Sequence, residues 1–167
     1  MKITLTINEY CHAVREGATR MQISSAQGNR EHSNADGAKT PQQLLFEEII
    51  GMCSEMAFAK LYSGYAPMEI NSFKSRPDVT VNHKGIEVRG TRMGKRLILR
   101  PGDKAVNRPY VHLQRITDLE YKFKGWIHPN DLKDEWIADP NGRKQPAWFV
   151  PNDALRSIEE LNEWINE

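Results

Sequence analysis

The sequence predicts a single α/β domain: one mixed β-sheet with helices packed against it. Three observations lead there. Short β-branched runs alternate apolar and polar residues, the strand period. Two long segments near the amino terminus carry apolar residues at helical spacing. An amphipathic segment closes the chain. The length of 167 residues fits one domain, 1–167, with no internal repeat or second boundary. At 39% hydrophobic and 27% charged residues, the chain can build a core without disulfide staples.

Residues 2–7 (KITLTI) read as a short strand. Residues 8–26 read as a helix capped by Asn8, with Tyr10, Val14, Ala18 and Met21 on one stripe. The polar, Gly- and Pro-bearing stretch 28–40 reads as a mobile loop. Thr40-Pro41 then opens a helix over 41–62. Its Leu44, Leu45, Ile49, Met52, Cys53, Met56 and Leu61 cover more than one face, so it should be the central, buried helix.

After a turn come a weak strand at 68–73 and a hairpin of 78–82 with 86–89, joined through His83-Lys84-Gly85. Further strands are expected at 97–100, 110–115 and 121–127. In the last, Tyr121 and Phe123 oppose Lys122 and Lys124, a half-buried pattern. Residues 128–152 are rich in turns around Trp136 and Trp148. A helix over 153–167 should follow, capped by Asn152 or Asp153 and striped by Leu155, Ile158, Leu161 and Ile165.

No apolar run reaches the about 18 residues that a membrane helix needs, so no membrane partner is expected. The amino terminus lacks a signal-peptide core, and Cys11 and Cys53 read as small buried thiols. Both point to the cytoplasm. The net charge is only +1, but its distribution is uneven. Residues 84–108 hold eight basic side chains against Glu87 and Asp103, a local charge of +6, whereas 131–167 sum to −5. A basic stretch on a neutral protein suits a phosphate-facing surface, and a solvated face with ordinary counter-charges is the plain alternative. No P-loop, GxGxxG or Gly-x-Ser-x-Gly occurs. The five histidines show no metal-ligand spacing. The four tryptophans read as packing residues before stacking platforms.

The informative segment is Arg76-Pro77-Asp78-Val79-Thr80-Val81-Asn82-His83-Lys84-Gly85-Ile86-Glu87-Val88-Arg89. Strand alternation puts the valines and Ile86 on a core face, while Asp78, Glu87 and Arg89 emerge together on the other. Two carboxylates and a cation on one face suit Mg²⁺ or Mn²⁺ beside an anionic substrate.

This spacing resembles the PD-(D/E)XK nuclease superfamily. Pro77-Asp78 matches its PD, and Glu87-Val88-Arg89 its acid-x-cation. Glu55, or Glu48 two turns earlier, matches the glutamate that the family carries on the preceding helix. More narrowly, the chain is similar over 1–151 to small phage and prophage proteins. These share the segments matched here by Ser54-Glu55-Met56-Ala57, by 97–103 and by Gly125-Trp126-Ile127.

The resemblance implies a restriction-endonuclease-like sheet flanked by helices and metal-dependent hydrolysis of phosphodiesters, in DNA before RNA. Asp78, Glu87 and the Val88 carbonyl would hold the metal. Glu55 would add a ligand or orient a water. Arg89 would contact the scissile phosphate, and Arg92, Lys95 and Arg96 would track the backbone. A homodimer is one assembly open to the chain, and a phage-encoded copy would work in the host cytoplasm.

The chain departs from the family pattern twice. Arginine stands where the family has lysine, and arginine cannot take up a proton as a base. Lys84 or Lys95 could supply an amine from a loop. The crossover helix after the third core strand is reduced to one expected turn at 103–106. The rival reading is therefore a catalytically inactive relative that binds nucleic acid or a host protein.

Overall fold

The computed structural model describes residues 1–26, 40–62, 76–139 and 146–167. In chain order the elements are β1 (Lys2–Thr4), α1 (Ile7–Ala26), α2 (Pro41–Leu61), β2 (Val79–Val81), β3 (Lys84–Thr91), β4 (Arg96–Leu99), α3 (Pro101–Lys104), β5 (Tyr110–Arg115), β6 (Glu120–Ile127), β7 (Ile137–Ala138), β8 (Ala147–Pro151) and α4 (Ile158–Asn166). Among the described residues, three one-turn 3₁₀ helices lie between β6 and α4. No described helix is long and apolar enough to cross a membrane. The expected strand at 68–73 and most of the loop 28–40 lie outside the described residues.

The α/β class is borne out, but the strands form two sheets among the described residues. The main sheet is five-stranded and mixed, in the order β1-β6-β5-β3-β2. Its antiparallel pairs flank one parallel pair, β3 with β5. The chain returns from β3 to β5 by way of β4 and the four-residue α3. The second sheet, β4-β8-β7, takes the strand expected at 97–100 out of the main sheet. Two apolar cores follow from this split. One lies between α2 and the main sheet, with Met52, Cys53, Phe58, Ile86, Val88, Val111 and Trp126. The other lies under the small sheet, with Leu97, Leu99, Tyr110, Trp148 and Val150.

Helix α2 is the buried helix that its all-round apolar pattern predicts. Thr40 caps it through a reciprocal bond pair with Gln43, and Pro41 sits in its first turn. It packs on the Ile86/Val88/Gly90 face of β3. A Cβ on Gly90 would lie 2.9 Å from Ser54 Cβ and 3.0 Å from Ile50 O, so only glycine admits this approach.

Four local expectations are corrected. Helix α1 begins at Ile7, and its cap is Thr6, which exchanges bonds with Glu9, rather than Asn8. The β2–β3 turn is Asn82-His83, both at positive φ (46° and 67°), the geometry that a two-residue hairpin demands. Gly85 instead lies in β3 against the Pro77 ring. Helix α4 starts at Ile158 with Ser157 as cap, so Leu155 precedes the helix. Cys11 is exposed, whereas Cys53 is buried as expected.

Candidate functional site

Helix α2 and strand β3 fix the site. In the β2–β3 hairpin Val79 pairs with Ile86, so the residue before β2, Asp78, comes opposite Glu87. Asp78 Oδ2 accepts the Val88 N–H at 2.8 Å. That bond continues the hairpin ladder with a side chain after the β2 backbone has ended. The N–H of Glu87 points the other way, to Pro109 O at 2.9 Å on the β5 side. Strand alternation therefore turns the Val88 carbonyl to the same edge as Asp78.

Each carboxylate has a distinct set of partners. Glu55 lies on α2, on the core side of the sheet, and is 5% exposed. Its oxygens are held by an Arg20 fork at 2.8 and 3.0 Å. Glu87, on the opposite face of β3, accepts one bond from Arg108 Nη1 at 2.7 Å through Oε1. Arg89 shares the Glu87 face, donates to Asp103 Oδ1 at 3.0 Å and lies 5.1 Å from the Tyr110 ring centre. The second Asp103 oxygen accepts the Arg100 N–H at 2.8 Å. Asp78 lies at the β2 side of β3, opposite Glu87, and its charge acts on both Glu55 and Glu87.

That placement raises all three carboxyls above their ordinary range. Burial, then repulsion from Asp78, pushes Glu55 up to about 7 despite its Arg20 fork. Burial raises Asp78, opposed by the Val88 N–H and by Arg89. Burial and Asp78 together raise Glu87.

Among the described residues, Asp78 Oδ1 and Glu87 Oε2 have no hydrogen-bond partner, and neither atom is a fully buried orphan. No group of three or more His, Cys, Asp or Glu has metal-ligating geometry there. The groups at this edge that could ligate a hard divalent cation are these two unpartnered carboxylate oxygens and the Val88 carbonyl. Glu55, clamped by Arg20, is turned into an ion pair and does not join them.

Next to Arg89 opens a groove of about 1090 Å³. Glu47, Glu48 and Ile50 of α2 form one wall. Arg89, Gly90 and Thr91 also line it, and Arg92, Met93, Gly94, Lys95, Arg96, Ile98, Arg100, Asp103 and Phe149 complete it. Arg92, Lys95 and Arg96 are exposed in it. Arg92 lies over the Phe46 ring, 5.3 Å from its centre.

Buried His112 holds this basic loop in place. One ring nitrogen meets Thr91 Oγ1 at 2.8 Å and the other meets Asn152 Oδ1 at 3.2 Å. Asn152 in turn donates to Gly94 O at 2.6 Å. Burial pushes the His112 imidazole down to about 4, so it stays neutral in this network.

The structure thus brings Asp78, Glu87, Val88 and Arg89 to one strand edge and puts Arg92, Lys95 and Arg96 in the adjoining groove. Sequence reasoning missed Arg20 and Arg108 as partners of the site. Arg20 arrives from α1, 35 residues from Glu55, and no local pattern announces it. Arg108 lies within the basic run, but only the parallel β3–β5 pairing brings it to Glu87. No protein-family model, no curated protein and no solved structure matches the chain.

Proposed function

We propose that the protein hydrolyses phosphodiester bonds in nucleic acid with a divalent cation, Mg²⁺ or Mn²⁺, DNA being the expected substrate. One observation carries the reading. Asp78 and Glu87 present free oxygens beside the Val88 carbonyl, and Arg89, two residues on from Glu87, lines a groove with Arg92, Lys95 and Arg96. The resemblance of Pro77-Asp78 and Glu87-Val88-Arg89 to the PD-(D/E)XK pattern supports the same reading.

Asp78, Glu87 and the Val88 carbonyl would hold the cation. When bound, such an ion polarises the phosphoryl oxygen and lowers the pKa of its water. The chain's own residues do the rest. Asp103 fixes the direction of the Arg89 guanidinium, which stays protonated and offers charge and donors to a phosphate. Arg89 serves as an electrostatic group and not as a base. Arg108 holds Glu87 in one rotamer while leaving its second oxygen free.

The second reading is a binding protein without catalysis. It is favoured by the two guanidinium clamps, Arg20 on Glu55 and Arg108 on Glu87, which neutralise carboxylates without any metal. Incubation with supercoiled and linear DNA in Mg²⁺ or Mn²⁺ separates the two. Cleavage that disappears in Asp78→Ala supports the enzyme. Metal-independent binding without cleavage supports the alternative.

A further inference from the structure

The outer face of the small sheet alternates charge and apolar surface in a way that the basic count alone does not explain. Along β4, Leu97 and Leu99 point into the core, so Arg96, Ile98 and Arg100 point out. Ile98 pairs directly with Phe149 of β8, and both line the groove. Ile98 is 46% exposed, and Met93, at 69%, lies in the same groove. An apolar platform thus sits between arginines about 13 Å apart along the strand, with Lys95 and Arg92 on the adjoining loop. Among the described residues neither Lys95 nor Arg96 has an ion-pair partner.

A duplex presents its phosphates outward and hides its base faces, so it has no use for an aromatic and aliphatic floor. A single strand exposes both, and sites that bind it combine a basic track with rings on which bases stack. We infer that the β4–β8 groove takes single-stranded nucleic acid, with a base against Phe149 and Ile98 and the flanking phosphates on Arg96 and Arg100. This inference rests on the nucleic-acid reading above and narrows its substrate class.

Fluorescence anisotropy in EDTA, with a labelled single-stranded 12-mer, the matching duplex and an abasic strand of the same length, tests it. The single strand should bind more tightly than either comparison. Phe149→Leu, which keeps apolar volume but no ring, should weaken single-strand binding about 10-fold and leave the abasic strand unaffected. Phe149→Tyr should retain it. Met93→Ser, at an exposed position, gives a second reading should the Phe149 variants lose their melting transition. If the duplex binds as tightly as the single strand and Phe149→Leu changes nothing, the inference falls and the nucleic-acid reading stands. If none of the three probes binds, either in EDTA or with Ca²⁺ in its place, both fall.

Discussion

Asp78 Oδ2 accepts the backbone N–H of Val88 at 2.8 Å, ten residues along the chain. One carboxylate oxygen thereby finishes the β2–β3 ladder while the other has no hydrogen-bond partner among the described residues. Pro77 packs against Gly85 of β3, next to Asp78 at the residue before β2 begins.

The Glu55–Arg20 pair should make stability depend on pH. Burial holds the folded Glu55 carboxyl near 7, above its unfolded value of about 4.3. The fold binds this proton more tightly, so the associated stability is full below the unfolded value. It is lost as pH rises through about 7. Arg20→Met removes the fork that favours ionised Glu55, which must then stay charged without a partner or take up a proton, and should cost of order 3 kcal/mol at pH 8. At pH 5, where Glu55 is protonated, the cost should be much smaller. Urea unfolding of both proteins at both pH values checks this, and equal losses would remove Glu55 ionisation from the account.

Arg89 should act through charge alone. Arg89→Ala should lower the cleavage rate about 10²-fold, as loss of a transition-state charge donor does. Arg89→Lys should keep most of the activity, although the Asp103 bond is reshaped. Single-turnover cleavage measures both, and an unaltered rate in Arg89→Ala takes the residue out of the site.

The exposed basic loop should set the salt dependence of binding. Replacing Arg92, Lys95 and Arg96 together by alanine should flatten the slope of log K against log[salt] by up to about 3 on duplex, and by less on a single strand. Exposed charges contribute about 0–1 kcal/mol each, so the melting temperature should barely change. A slope equal to that of the wild type would place the nucleic acid elsewhere.

The α2–β3 contact that positions Glu55 depends on Gly90. Gly90→Ala drives a methyl group into Ser54 and should cost about 1–3 kcal/mol. Ser54→Gly should recover part of that loss in the double variant, despite its own helix penalty of about 1 kcal/mol. A double-mutant cycle by denaturant unfolding measures the coupling, and strict additivity would mean that the two residues do not touch.

How far the sequence could be read depends on the range of each interaction. The caps Thr40 and Pro41, the buried helix and the alternation in 121–127 follow from neighbouring residues, and they were legible. So was the shared edge of Asp78 and Glu87, because a two-residue period suffices to derive it. The turn at Asn82-His83 is masked in the sequence by Gly85, whose absent side chain serves packing against Pro77 instead of positive φ. The start of α4 is obscured in the sequence because Asn152 and Asp153, both good caps, belong to a 3₁₀ turn before Ser157. The partition into two sheets, and the arrival of Arg20 and Arg108 at the carboxylates, rest on tertiary contacts that leave no periodic trace.

Isothermal titration of Mn²⁺ into the wild-type protein and into Glu87→Gln tests the central claim most directly. Glutamine keeps an acceptor for Arg108 but loses the free carboxylate oxygen opposite Asp78. The wild type should show saturable binding at a single site, tightening with rising pH because the Asp78 and Glu87 carboxyls, both raised by burial, must lose their protons to bind. Glu87→Gln, still folded by circular dichroism, should lose that binding. Absence of binding in the wild type at millimolar Mn²⁺, or equal binding by both proteins, would contradict a cation site at the Asp78–Glu87 edge.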